Sequence, residues 1–107
     1  MSLGITSVEF KKQYLEHRAF LELIDVREPA EFSEAHIKWS RLIPMGKLEN
    51  KLDTIDWSKE VIFICRSGGR SMQVVQTLRD FDYVSRSLDG WVQTFMMHGA
   101  EYIESGS

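Results

Sequence analysis

Apolar positions along this chain alternate between two spacings. Val8, Phe10, Tyr14 and Leu15 suggest a short amphipathic helix running to about Glu16. Thr6, followed three residues later by Glu9, predicts a capping box at its start. Leu21 to Val26 (LELIDV) predicts a strand buried on both faces. Pro29 fits the first turn of a short helix through about Glu34, because its missing N–H would be unpaired there anyway. Arg41 to Ile43 predicts a short strand stopped by Pro44, and Leu48 to Ile55 a short helix. Val61 to Ile64 (VIFI) is the strongest strand signal, with charge before it and a Gly-rich loop after. Val74, Val75, Leu78 and Phe81 recur at helical spacing from about Ser71 to Phe81. Val84 to Leu88 alternates as a strand does, and Gly90 to about Met97 predicts a last helix ended by Gly99. Strands alternating with helices specify an α/β domain on a parallel sheet, here of four or five strands with helices on both faces. The expectation is one domain over residues 1–107.

Composition narrows the function more than the fold. The chain is 43% apolar and 27% charged, which excludes a disordered polypeptide. Thirteen Lys and Arg against 16 Asp and Glu leave a net charge of −3, so no broad positive surface is expected for nucleic acid or an anionic membrane. Apolar runs such as Val61 to Cys65 fall far short of the ~20 residues that span a bilayer. The opening MSLGITSVEF lacks the basic start and long apolar stretch of a signal peptide, so a cytoplasmic address is expected. Cys65 is the only cysteine, which excludes an intramolecular disulfide, a CxxC redox pair and a cysteine-rich zinc site. His17, His36 and His98 are widely spaced, and no metal is expected.

The chemistry concentrates in VIFICRSGGRS. A buried strand delivers Cys65; Arg66, Ser67, Gly68 and Gly69 follow; Arg70 and Ser71 open a helix. Ligands of parallel sheets bind beyond the carboxyl ends of the strands, where Cys65 is expected. The paired glycines allow a tight curl with N–H groups turned inward, and the helix adds its own unpaired N–H groups and the positive end of its dipole. These features favour negative charge on the sulfur, so Cys65 is expected to be a nucleophilic thiolate in an open, partly wet loop. The same cradle would stabilise a persulfide. A P-loop is absent, because GxxxxGK[ST] does not occur.

These segments resemble the rhodanese homology family, specifically its single-domain sulfurtransferases, over roughly Ile5 to Tyr102. LIDVREPAEFSEAHI (Leu23 to Ile37) is similar to the family's first signature, CRSGGRS (Cys65 to Ser71) to its catalytic loop, and SLDGWVQTF (Ser87 to Phe95) to its closing segment. The resemblance implies a three-layer α/β/α fold with a central, mainly parallel five-stranded sheet, and Cys65 as the sulfur-carrying residue. It implies a sulfurtransferase acting on a small anionic donor such as thiosulfate, with a thiol, cyanide or a carrier protein as acceptor. No metal or organic cofactor is expected. Residues Arg66, Ser67, Gly68, Gly69, Arg70 and Ser71 would bind the substrate, with their backbone N–H groups holding the persulfide. The chain departs from the family at Trp39 and Ser40, where Gly and Ala are usual, at Trp91 in place of the second Gly of the closing pair, and at Phe95 in place of Trp. Gly90 is retained.

Two other readings compete. Cys-dependent phosphatases and arsenate reductases use a Cys-x5-Arg loop, whereas four residues separate Cys65 from Arg70, a loop better sized for one sulfur than for a phosphate. A non-catalytic binding module of the same fold is opposed by the intact cysteine. Asp25 and Arg27 lie at the same sheet edge as Cys65; a structural ion pair is favoured over a place in the pocket. His36 reads as a hydrogen-bonded structural residue, His98 as solvated, Met96 and Met97 as core and rim, and the acids from Glu28 to Glu34 as a solvated helix face.

Overall fold

The computed structural model describes residues 3–90 and 102–106. In chain order, β1 (Gly4–Ile5) leads to α1 (Ser7–His17), a 3-10 turn (Arg18–Phe20) and β2 (Leu21–Asp25). Then come α2 (Pro29–Glu34), β3 (His36–Ile37), β4 (Arg41–Leu42) and a 3-10 helix over Met45–Thr54. β5 (Glu60–Ile64), α3 (Gly69–Arg79), β6 (Arg86–Leu88) and β7 (Ile103–Glu104) complete the order. The central sheet is five-stranded and parallel, as expected, and its strand order is β1-β6-β5-β2-β4. β3 and β7 form a separate antiparallel pair.

β2 and β5 lie side by side from Leu21 opposite Glu60 to Asp25 opposite Ile64. Their side chains alternate between two cores. Leu21, Leu23, Ile62 and Ile64 pack with Ile5, Phe10, Tyr14 and Leu88 on the face that α1 covers. Ile24, Val61, Phe63 and Cys65 pack with Val74, Val75, Leu78 and Leu48 on the face covered by α3 and the 3-10 helix. Burial on both faces is why these strands read as continuous apolar runs. It also sends Cys65 to the α3 side, one position beyond the strand.

Several local expectations are corrected. Thr6 Oγ1 accepts the Glu9 N–H at 3.2 Å, but the Glu9 carboxylate turns to Arg86 at 2.8 Å rather than back to the cap. Phe10 and Tyr14 form the buried stripe of α1, while Val8 and Leu15 face outward. The expected helix at Leu48 to Ile55 is a 3-10 helix that begins directly after Pro44. α3 ends before Phe81, which is exposed, because the chain reverses through Asp82 in left-handed backbone (φ 66°). Val84 is likewise exposed and precedes its strand. β1, β3 and β7 have two residues each, too few to show an alternation in the sequence. Beyond Gly90, the expected last helix, with Trp91, Phe95, Met96, Met97, His98 and Gly99, lies outside the described residues. No helix among the described residues is long and apolar enough to cross a membrane.

Candidate functional site

β5 delivers Cys65 to the carboxyl edge of the sheet, and the chain turns through Arg66, Ser67 and Gly68 into α3. Gly68 adopts φ 92°, and its N–H donates to Cys65 Sγ at 3.0 Å. The Ser71 backbone N–H lies 3.4 Å from the sulfur and the Ser71 Oγ 3.3 Å. Three donor groups from a turn and a helix start thus converge on one atom. Only one of the two glycines is needed for the curl. A Cβ on Gly68 would meet nothing nearer than the Leu88 carbonyl at 3.6 Å, so backbone angle rather than space demands glycine. Gly69 is an ordinary helical residue, and a Cβ there would meet only Ser67 Oγ at 3.7 Å. Gly68→Ala is expected to lower stability by about 1–2 kcal/mol, while Gly69→Ala leaves it level or raises it slightly. Urea unfolding of the two variants checks this, and equal losses would contradict it.

The expected open, wet thiol is corrected: Cys65 is 1% exposed. The Gly68 and Ser71 groups bond to the buried sulfur. Burial pushes the thiol pKa up, but the Ser71 hydroxyl and the backbone N–H groups of Ser71, Gly68 and Ser67 pull it down further. The net position is below an ordinary thiol. The expected direction holds, through hydrogen bonds to the charged form rather than through exposure.

The arginines differ. Arg70 grips the carboxylate of Glu31 with two hydrogen bonds, at 2.8 and 3.0 Å. Those bonds, with the backbone N–H of Glu28, hold the Glu31 carboxyl down at about 2. Glu31 is therefore the partner of an arginine in the first turn of α3, not part of a solvated face. Arg66 is exposed and has no hydrogen bond or ion pair among the described residues, and Ser67 is exposed as well.

Asp25 and Arg27 are buried together, with the guanidinium on the carboxylate at 2.8 to 3.1 Å and a further bond to the Ala35 carbonyl at 2.7 Å. That is the structural pair favoured from the sequence. His36 is buried with its ring stacked on Phe32; Nδ1 is 2.8 Å from the Phe32 carbonyl and Nε2 3.0 Å from Glu104 Oε1. It adds a side-chain tie between the paired strands β3 and β7.

One residue beside the site escaped the sequence reading. Ser87 stands in β6 opposite Phe63 of β5, fully buried, with its Oγ 2.6 Å from Ser71 Oγ. The sequence alternation sets Ser87 on the face opposite Leu88, and its hydroxyl is buried because β6 is covered on both faces there.

The family model of the rhodanese-like domain matches residues 7–98. The chain belongs to the rhodanese-like domain family. YtwF of Bacillus subtilis, provisionally named a sulfurtransferase, is 40% identical over 90 residues, covering 84% of this chain and 87% of YtwF. A protein of Allochromatium vinosum named sulfurtransferase is 31% identical over 78 residues, covering 72% of this chain and 73% of that one. The crystal structure of a rhodanese-like domain protein from Staphylococcus aureus superposes over the whole of both chains, with a TM-score of 0.82 at 27% identity. The rhodanese-like pattern makes sense of Trp39. It adopts φ 69°, left-handed backbone that favours the glycine implied there by the resemblance. Its ring is exposed, under the Arg18 guanidinium at 3.5 Å. Trp39 precedes β4, at the sheet edge opposite Cys65.

Proposed function

We propose that this rhodanese-like chain is a sulfurtransferase that moves a sulfane sulfur from thiosulfate, or a related persulfide donor, to a thiophilic acceptor through Cys65. The observation that carries the reading is the convergence of Gly68 N–H, Ser71 N–H and the Ser71 hydroxyl on a single buried sulfur whose pKa is lowered. Family membership and the relatives named sulfurtransferases support it.

The Cys65 thiolate attacks the outer sulfur of the donor. The donor S–S bond breaks, sulfite departs with the electron pair, and Cys65 becomes a persulfide. An acceptor nucleophile (cyanide, a thiol or a carrier protein) then attacks the outer sulfur and releases the thiolate. Donors already aimed at the thiolate stabilise the charge at both stages without reorganising. Arg66, exposed and without an ion pair among the described residues, attracts an anionic donor. Arg70 contributes less direct charge, because Glu31 balances it. Ser67 and Gly69 shape the mouth of the loop. The electron count closes without a metal or organic cofactor. A lone reactive thiol suits a reducing compartment, which supports the cytoplasm as the place of work.

Thiosulfate and cyanide supplied together test the proposal: thiocyanate should accumulate, and p-nitrophenyl phosphate should remain intact. Phosphate ester turnover at a comparable rate would favour a phosphatase. Neither reaction would favour a binding module.

A further inference from the structure

The sulfur is linked to a chain of buried hydroxyls that continues beyond its direct contacts. Ser71 Oγ lies 3.3 Å from Cys65 Sγ, 2.6 Å from Ser87 Oγ and 3.3 Å from the Gly68 carbonyl. Ser87 Oγ lies 3.4 Å from the same carbonyl. Both serines are fully buried. Each hydroxyl has one proton to donate, and these few acceptors share the two protons.

We propose that Ser87 is a positioning residue for the Cys65 thiolate, acting through Ser71. When Ser87 donates across the short contact to Ser71 Oγ, the Ser71 proton is released toward the sulfur, where a thiolate accepts it. When the sulfur is protonated, the order reverses: S–H donates to Ser71 Oγ, Ser71 donates to Ser87, and Ser87 donates to the Gly68 carbonyl. The two arrangements differ in hydroxyl orientation and in the one proton that the sulfur exchanges with solvent. Without Ser87, the thiolate arrangement loses the donor that turns Ser71 toward sulfur. The inference rests on the proposed role of Cys65 and adds a residue from the neighbouring strand to it.

Charged groups around the sulfur do not change in this scheme. Among the described residues they are Arg70 with Glu31 from α3 and α2, the Asp25–Arg27 pair from the end of β2, exposed Arg66 in the loop, and Asp89 following β6. A shift on removing the Ser87 hydroxyl therefore reports the hydroxyl chain.

The test is the rate of iodoacetamide alkylation of Cys65 against pH, which follows the thiolate fraction and requires no sulfur transfer. The wild-type midpoint should lie below that of a free thiol. Ser87→Ala should raise it by about half a unit to one unit, the change in protonation equilibrium of up to tenfold that one net hydrogen bond supplies. In a Ser71→Ala background, Ser87→Ala should produce no further shift, because the link to sulfur is already gone. Ser85→Ala, which removes a buried hydroxyl without a hydrogen-bond partner among the described residues, should leave the midpoint in place. An unchanged midpoint in Ser87→Ala, or shifts that simply add in the double variant, would overturn the inference. A wild-type protein that alkylates with the low midpoint but accepts no sulfur from thiosulfate or from a small-molecule persulfide would overturn the proposed function and leave Ser87's role standing.

Discussion

Cys65→Ser should take up no sulfur from thiosulfate, whereas the native protein, freed of excess donor, should gain about 32 Da, one sulfur atom held covalently. The substitution is nearly isosteric at a fully enclosed position, so the fold and the loop should persist. The hydroxyl can still accept the N–H groups of Gly68 and Ser71, so binding geometry changes little. The nucleophile itself disappears, because an alcohol ionises far less readily than a thiol, here one whose pKa is lowered by its hydrogen bonds. Thiocyanate formation should fall to the uncatalysed background. Intact-mass spectrometry before and after donor treatment reads the result. An adduct that persists in the serine variant would remove Cys65 from the chemistry.

The largest expected loss of stability comes from the neighbouring Asp25–Arg27 pair. Asp25→Ala should cost about 3–5 kcal/mol, because it leaves a buried guanidinium without its carboxylate. Arg27 is 4% exposed, and Asp25 also accepts the Arg27 backbone N–H at 3.0 Å. The same guanidinium bonds the Ala35 carbonyl, so the loss should loosen the end of α2 and the loop after β2 together. Replacing both residues, as in Asp25→Leu with Arg27→Met, should recover much of the deficit, since no unpaired charge is then buried. Glu9→Ala, which breaks a half-exposed contact with Arg86, provides the contrast and should cost less than about 1 kcal/mol. Urea denaturation of the three variants gives the ranking. An Asp25→Ala variant no weaker than Glu9→Ala would mean that the pair is not held dry.

Cys65 and its loop were legible in the sequence because their signals are local. A buried apolar run, one cysteine, a glycine able to take left-handed backbone and a helix start occur within a dozen residues. Each is read from neighbours in the chain. The capping Thr6, the Pro29 helix start and the double-sided burial of β2 were legible for the same reason. Errors arose where a residue's environment comes from elsewhere. Val8 and Leu15 fit a helical stripe, but Phe10 and Tyr14 alone meet the sheet. Glu31 fits a solvated face, yet Arg70 reaches it from thirty-nine positions away.

By itself the sequence determined the alternation of strands and helices, the two-sided burial of β2, the place of Cys65 after the strongest strand, β5, and the sign of the pKa shift on its thiol. All follow from short-range periodicity and backbone chemistry. The tertiary structure alone decided that the sulfur is enclosed, that Glu31 balances Arg70, and that Ser87 from the adjacent strand joins Ser71 behind the sulfur. The physical reason is register. Which side chains meet across parallel strands depends on how β5 and β6 align and on how α2 and α3 approach the same sheet edge, and residues near in the chain do not encode those relations.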